Sequence, residues 1–405
     1  MSGEFQPDTV HLKKDAYVFV EGKQHADKFY IVKHGDVRII REALNDDIGS
    51  VIGPGEMFGL ISTMAAHGYI ESAVAMNNVT LMAVERKQYG SLIRKVNSIA
   101  VNSIKAFSQR LRELDVAFSQ RALKNTAQSD YSHIIQIGDF YKNSNKLNSA
   151  LYAYSRYCDL CPDAYDIDLI KARIADLKSC VVATRVEYAP DKMVRKYPKE
   201  HLLFAEGETG NTMYIIQDGA VKITKIVDNK EIILAVLGKG DIFGEMALLE
   251  DKPRAATAEV YEDCTLLAVN RDNFTNLIRD QPDMVVRMAT LMSERIWLLY
   301  RQLDNTLIEN PLGRIYDALL IQLEKNRVDI NSSEPYQCNF GIKELIGMAG
   351  IPESENKHLD RKVIGDGKLT LKDDKIQIIK ISDILKESQF YRKAQKIAEN
   401  RKGSL

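Results

Sequence analysis

Residues 241–258 read DIFGEMALLEDKPRAATA, and the fold is decided by what these eighteen positions require of one another. Phe243-Gly244 lets the chain turn sharply into a helix that starts near Glu245, which leaves the amides around Met246 and Ala247 without intrahelical partners. Such amides attract anions. After a turn at Glu250-Asp251-Lys252-Pro253, Arg254 brings a planar, permanently charged fork to the same place. Ala255, Ala256, Thr257 and Ala258 are small enough for a ligand to lie against the backbone. The residues describe a pocket for a phosphate whose neighbouring hydroxyl Glu245 accepts. An ion pair between Glu245 and Arg254 in an empty pocket is the alternative.

The surroundings of this stretch occur twice. Residues 15–118 and 200–303 follow one pattern, with Glu21-Gly22 opposite Glu206-Gly207, Gly35 opposite Gly219, and MFG at 57–59 opposite IFG at 242–244. Short alternating runs with glycine corners, such as LLFAEGETGNTMYIIQDGAVKIT and EIILAVLGKGDIF, predict a small antiparallel jelly roll in each copy. Each copy ends in a helix. Ile104, Phe107, Leu111, Leu114 and Phe118 form the narrow seam of the first, and Val285, Met288, Met292, Ile296, Leu299 and Leu303 the stripe of the second. Packing on the parent barrel and pairing with another long helix both satisfy these patterns.

FGEMALL followed by PRAATA resembles the phosphate-binding cassette of the cyclic-nucleotide-binding domain family, shared by bacterial cyclic-AMP receptor transcription factors and the regulatory subunits of cyclic-AMP-dependent kinase. The resemblance implies that Glu245 accepts from the ribose 2′-hydroxyl and that Arg254 neutralises the cyclic phosphate. Gly244, Ala247 and Ala255 would supply backbone contacts, with Met246 and Ala256 in the same cassette. Alanine after the arginine, where cyclic-GMP-selective relatives tend to carry threonine, favours cyclic AMP over cyclic GMP. The helix that follows usually covers the base, which nominates Tyr300, Leu299 and Trp297; a tyrosine hydroxyl bonds a base edge and either ring stacks on it. In the first copy Leu60 stands where the second has Glu245, and Glu71 is aligned with Arg254. A carboxylate facing a phosphate repels it, so the first barrel is expected to be silent and to serve as partner in an intramolecular pseudo-dimer; a homodimer through the long helices is the other arrangement.

Between the copies, Ile134, Ile137-Gly138, Tyr141, Ala150, Tyr154, Tyr157 and Pro162 resemble one tetratricopeptide repeat, which must pack on a neighbour to bury its apolar face. Cys158 and Cys161 lie within it as small packing residues, with no second pair at zinc-ligand spacing. From Asn310 onward the order of elements resembles the winged helix-turn-helix of the cyclic-AMP receptor family. Ile342–Ala349 would be the supporting helix, Gly350 the turn, Glu353–Lys362 the recognition helix and GKLTLKDDKIQII the wing. Lys357, His358, Arg361, Lys362 and Lys368, with Lys372, are the candidate DNA contacts. Glu353 and Glu355 at the start of the recognition helix oppose a phosphate-lined groove, so a protein-interaction role stands beside DNA binding. The basic tail from Glu387 reads as a solvated, fraying helix.

The expected fold is α+β: two antiparallel β jelly-roll domains each followed by a long helix, a small helical repeat between them, and a C-terminal winged helix-turn-helix. The expected boundaries are 1–123, 124–184, 185–304 and 305–405. A net charge of −1 across 405 residues gives no global pull toward nucleic acid or an anionic membrane. Five scattered cysteines and the lack of a long apolar run point to a reducing, cytoplasmic setting with no membrane partner. No metal cluster, no nucleophile beside a base and no triphosphate loop is visible, which argues against an enzyme or a metal cofactor. The function expected is a cyclic-nucleotide sensor, of cyclic AMP in the first instance, that regulates transcription. A cyclic-nucleotide-responsive scaffold for a protein partner is the alternative.

Overall fold

The computed structural model describes residues 7–22, 25–41, 46–122, 131–180, 188, 192–227, 230–246, 252–271, 273–274, 276, 281–351 and 359–402. The first barrel comprises β1 (Asp8–Leu12), β2 (Tyr17–Phe19), β3 (Lys28–His34), β4 (Val37–Arg41), β5 (Asp46–Ile52), β6 (Met57–Phe58), α1 (Leu60–Ala65), β7 (Ser72–Ala75) and β8 (Val79–Glu85). Two four-stranded antiparallel sheets, β1-β8-β3-β6 and β2-β7-β4-β5, face each other. Phe19, Val32, Val37, Ile39, Phe58, Tyr69, Ala73 and Leu81 fill the space between them. The alternation in VRII and SAVA places every second side chain inside, as period-two patterning requires. Helices α2 (Tyr89–Lys95) and α3 (Asn97–Ala122) follow. Of the predicted seam, Ile104, Phe107, Leu111 and Leu114 are buried and Phe118 is half-buried.

Helices α4 (Ser132–Asn143), α5 (Leu147–Leu160) and α6 (Ile167–Cys180) form the region between the copies. Gly138 allows α4 and α5 their close approach, since a Cβ there would lie 2.5 Å from the Tyr154 ring. The hairpin buries Ile134, Ile137, Tyr141, Ala150 and Tyr154 together with Ile170 of α6 and with Leu202, Ala205 and Ile226 of the second barrel. Its apolar face is thus met within the chain, and Cys158 and Cys161 pack at its edge.

The second barrel runs through β9 (Val194–Tyr197), β10 (Leu202–Phe204), β11 (Thr212–Val227), β12 (Lys230–Leu237), β13 (Ile242–Phe243) and β14 (Thr257–Asn270). Its long strands β11 and β14 pair along their length, with bulges where they bend from one layer to the other. Beyond it lie α7 (Pro282–Asn305) and α8 (Pro311–Lys325), the latter capped by the Asn310 side chain, which accepts from the amides of Leu312 and Gly313. The C-terminal region continues through β15 (Tyr336–Gln337), α9 (Ile342–Met348), α10 (Leu359–Gly365), β16 (Leu369–Lys372), β17 (Lys375–Ile378) and α11 (Ile381–Lys402). The stretch GKLTLKDDKIQII contains the β16–β17 hairpin, turned by Asp373 and Asp374, both with positive φ.

The chain divides into two compact units. One gathers Lys87–Asp115 and Asn125–Met292, hence the second barrel, the helical hairpin and most of α3. The other gathers Gln6–Arg86, Val116–Lys124 and Ser293–Leu405, hence the first barrel, the distal half of α7 and the C-terminal region. Each barrel therefore groups with a helix from the other copy.

In the unit of the first barrel, α11 packs on α8 rather than fraying over its whole length. Asp317 is fully buried and accepts from Ser388 Oγ, Asn305 Nδ2 and the Arg392 guanidinium, which also bonds Asp304. Burial alone would raise the Asp317 carboxyl, but Arg392, Arg301 and these bonds hold it below its ordinary value. The expectation of a solvated tail is corrected at Ser388 and Arg392, whose spacing of four puts them on the face toward α8.

Candidate functional site

At the second cassette Gly244 has φ +78, the left-handed turn that admits the chain to the helical residues Glu245 and Met246. Arg254 is 5% exposed and Glu245 1%. The guanidinium donates through Nη1 to the Gly244 carbonyl and through Nη2 to the Thr212 carbonyl, both at 2.8 Å. Its centre lies 4.1 Å from the centroid of the Phe204 ring, a cation–π contact. Nε is buried and, among the described residues, has no hydrogen-bond partner. Desolvation lowers the guanidinium pKa, while Tyr214, Glu208, Tyr152 and Glu245 act to raise it. The site is a desolvated cation held by backbone carbonyls, with a donor left over.

The loop behind Arg254 is fixed on both sides. Gly207 N donates to the Arg254 carbonyl at 2.9 Å, and Arg254 N donates to the Glu208 carbonyl at 2.8 Å. The buried Glu208 carboxylate accepts from the Ala205 amide and from Tyr152 Oη of α5, with Arg156 Nε at 3.6 Å. Burial raises the Glu208 carboxyl pKa despite Arg156. From α3, the Arg112 guanidinium donates to the Pro253 carbonyl at 3.3 Å, and Asp115 lies 3.5 Å from Lys225. Phe204, Glu208, Tyr152, Arg156 and Arg112 were not among the residues singled out from sequence. Phe204 had a visible signal, since Phe19 precedes the first Glu-Gly just as Phe204 precedes the second.

Gly244, Glu245, Met246, Arg254, Ala255 and Ala256 thus fall in one unit around one cassette, Ala255 and Ala256 being partly exposed there. Ala247 lies outside the described residues. Tyr300 belongs to the unit of the first barrel, where its hydroxyl donates to Glu21 Oε1 at 2.9 Å; Trp297 stacks on His67 with ring centroids 3.7 Å apart. Of the candidate DNA contacts, Lys357 and His358 lie outside the described residues. Arg361 and Lys362 are exposed on α10, whereas the Lys368 ammonium is held by Asp366 at 2.6 Å and Glu387 at 3.0 Å.

The first cassette corrects one alignment. Gly22 N donates to the Tyr69 carbonyl as Gly207 N does to that of Arg254, and Glu21 N donates to Ser72 Oγ as Glu206 N does to Thr257 Oγ1. Tyr69, not Glu71, therefore stands opposite Arg254. Its ring stacks on Phe19 at 3.7 Å as the guanidinium does over Phe204, and its hydroxyl donates to the Lys28 carbonyl as Nη2 does to Thr212. Glu71 takes the position of Ala256. At the place of the arginine the first barrel thus holds a neutral tyrosine rather than an opposing carboxylate.

The model of the cyclic nucleotide-binding domain matches this chain twice, at residues 9–96 and 194–281. The cyclic AMP receptor protein of Thermus thermophilus is 35% identical over 127 residues, 31% of this chain and 59% of that protein. The cAMP-activated global transcriptional regulator CRP of Pasteurella multocida is 32% identical over 159 residues, 39% of this chain and 76% of that protein. Among solved structures, the c-di-GMP responsive global regulator CLP of Xanthomonas campestris aligns over 46% of this chain and 92% of its own, at 21% identity and a TM-score of 0.37. The chain spans a little over half the length of the first of these relatives and about three quarters of the second. With both barrels matched and the cassette geometry in place, the chain belongs to the cyclic nucleotide-binding domain family, among the CRP-type regulators.

Proposed function

We propose that the second barrel binds one cyclic nucleotide, cyclic AMP in preference to cyclic GMP, and that the C-terminal region, a divergent winged helix, carries the output to DNA. One observation supports the sensor reading above the others: Arg254 is buried over Phe204 with an Nε donor that has no partner among the described residues, beside the buried carboxylate of Glu245. A cyclic phosphate completes that cation's coordination and a ribose hydroxyl donates to Glu245. Gly244, Met246, Ala255 and Ala256 form the close backbone wall. Regulation then requires that the nucleotide bind two arrangements of the chain with different affinity.

Calorimetry of the full chain tests the sensor. One cyclic AMP per chain, weakened by Arg254→Ala, supports it; absence of binding with either cyclic nucleotide refutes it. A mobility-shift titration of genomic fragments at two salt concentrations tests the output, with Arg361→Glu and Lys362→Glu as variants. A second reading, a protein-interaction module in place of a DNA reader, draws on Lys368. Its charge is already neutralised by Asp366 and Glu387, which narrows the cationic footprint of the described residues to Arg361, Lys362 and the wing. Absence of a shift at both salt concentrations, with the nucleotide bound, favours it.

A further inference from the structure

The first barrel carries a carboxylate of its own inside the cassette. Glu71, at the position of Ala256, is 7% exposed. Its Oε1 accepts from the Gly59 amide at 3.3 Å, Gly59 being the counterpart of Gly244, and its Oε2 accepts from Arg41 Nε at 3.0 Å. An amide and a guanidinium around one buried carboxylate form an anion site by its chemistry. Its anion is covalently attached. The neighbouring volume is closed by the parallel rings of Phe19 and Tyr69, both 3.2 Å from where a Gly59 Cβ would be.

Contacts to α7 and the segment after α8 leave from the two ends of this filled cassette. Glu21, whose amide bonds Ser72 next to Glu71, takes the Tyr300 hydroxyl. At the far end of α1, the carbonyls of Ala65 and Ala66 and His67 Nδ1 all accept from the Arg327 guanidinium, and the His67 ring lies flat on Trp297. Burial and Arg327 press the His67 pKa down to about 3, so the ring stays a neutral acceptor in this contact.

We propose that the Glu71 carboxylate is a tethered occupant of the first cassette, held between Gly59 and Arg41, and that it makes the first barrel a ligand-independent dock for the distal half of α7. The dock does not depend on which nucleotide the second barrel takes, nor on whether it takes one. Its test therefore uses the full chain without nucleotide. Removing a buried, charge-assisted acceptor shifts local opening by roughly 10- to 100-fold, and amide hydrogen exchange reads such openings even when they are rare. In Glu71→Ala, peptides covering 293–303 and 60–70 are expected to exchange faster by that factor, while peptides of the α4–α5 hairpin keep their rates. Sodium acetate, the excised group, is expected to slow them again relative to sodium chloride at equal ionic strength. Unchanged exchange in 293–303, or acceleration that acetate and chloride affect alike, overturns the proposal. If Glu71→Ala does not fold, Glu71→Gln keeps the shape and loses the charge; wild-type exchange in that variant refutes the idea equally.

Discussion

Gly244 and Gly59 occupy the same left-handed turn in the two barrels, at φ +78 and +74, yet substituting them by alanine should have separable consequences. In either case the added Cβ strains the backbone by about 1–2 kcal/mol. At Gly244 the Cβ would also come to 2.6 Å from Nη1 of Arg254, so the guanidinium must leave the Gly244 carbonyl. A hydrogen bond from a charged donor is worth about 1.5–3 kcal/mol, which brings the expected destabilisation of Gly244→Ala to roughly 2.5–5 kcal/mol. The same displacement takes the cation out of register with a bound phosphate, and the hydrogen-bond part alone, about 1.5–3 kcal/mol, corresponds to roughly 10- to 150-fold weaker cyclic AMP binding. At Gly59 the atoms nearest to the Cβ would be those of the Phe19 and Tyr69 rings at 3.2 Å, and no cation is among them. Gly59→Ala should lose stability without losing affinity. Urea denaturation without ligand and calorimetry with cyclic AMP measure the two quantities. If Gly244→Ala binds within a factor of about three of wild type, a difference of only ~0.6 kcal/mol, the placement of Arg254 as the phosphate's cation is wrong.

Three further outcomes follow from the charges. His133 of α4 lies 3.3 Å from Glu206, and although burial works against its charge, this carboxylate raises its pKa above the ordinary 6.5. A raised folded-state pKa gives stability that is fully present below pH ~6.5 and is lost as the pH rises through the folded value, so the stability gap between wild type and His133→Gln should be widest in acid and narrow above neutrality, by denaturation across pH. Arg392→Ala strands the fully buried Asp317 without its cation, and chemical denaturation should report a loss of about 3–5 kcal/mol confined to the unit of the first barrel. Adding cyclic AMP at about 100 times its Kd should stabilise the wild type by about 2.7 kcal/mol, and a variant weakened a hundredfold, as expected of Arg254→Ala, by only about 0.4 kcal/mol at the same concentration; equal stabilisation of both would place the ligand elsewhere.

The features legible in the sequence were those that local chemistry imposes. A glycine before a short helix, alternation along strands and a three-four apolar spacing each have one physical meaning, and cassette, jelly rolls and helix seams appear where those signals stand. The turn of the C-terminal hairpin was written in Asp373-Asp374. Register was harder. Glu71 drew attention as the only charge near the aligned position, but the backbone bonds from Gly22 and Gly207 show that a tyrosine occupies the place of the arginine. Tyrosine and arginine share a flat, polar-tipped shape and no charge, so a search by charge passes over the exchange. Helical period reveals which face of α7 is apolar and not what that face will meet, so the contacts of Tyr300 with Glu21 and of Trp297 with His67 had no signal in the sequence. Arg392 was hidden by the basic composition around it, because its partner Asp317 lies seventy-five residues away in sequence.

The Tyr69–Arg254 exchange also explains how two copies of one scaffold come to differ in kind. In each, a flat group lies on a phenylalanine and its tip bonds the carbonyl at the start of the third strand of the barrel, Lys28 in one copy and Thr212 in the other. With tyrosine the group is neutral, and the adjoining amide and cation are satisfied by Glu71. With arginine the group is a desolvated cation whose Nε finds no acceptor among the described residues. Burying such a charge without full compensation is unfavourable, so the unliganded second barrel holds free energy that an anion can release and the first barrel does not. A site that was fully satisfied when empty would bind a phosphate no better than water does. On the proposed reading, the second copy forgoes stability where it gains affinity, while the first is closed on its own carboxylate.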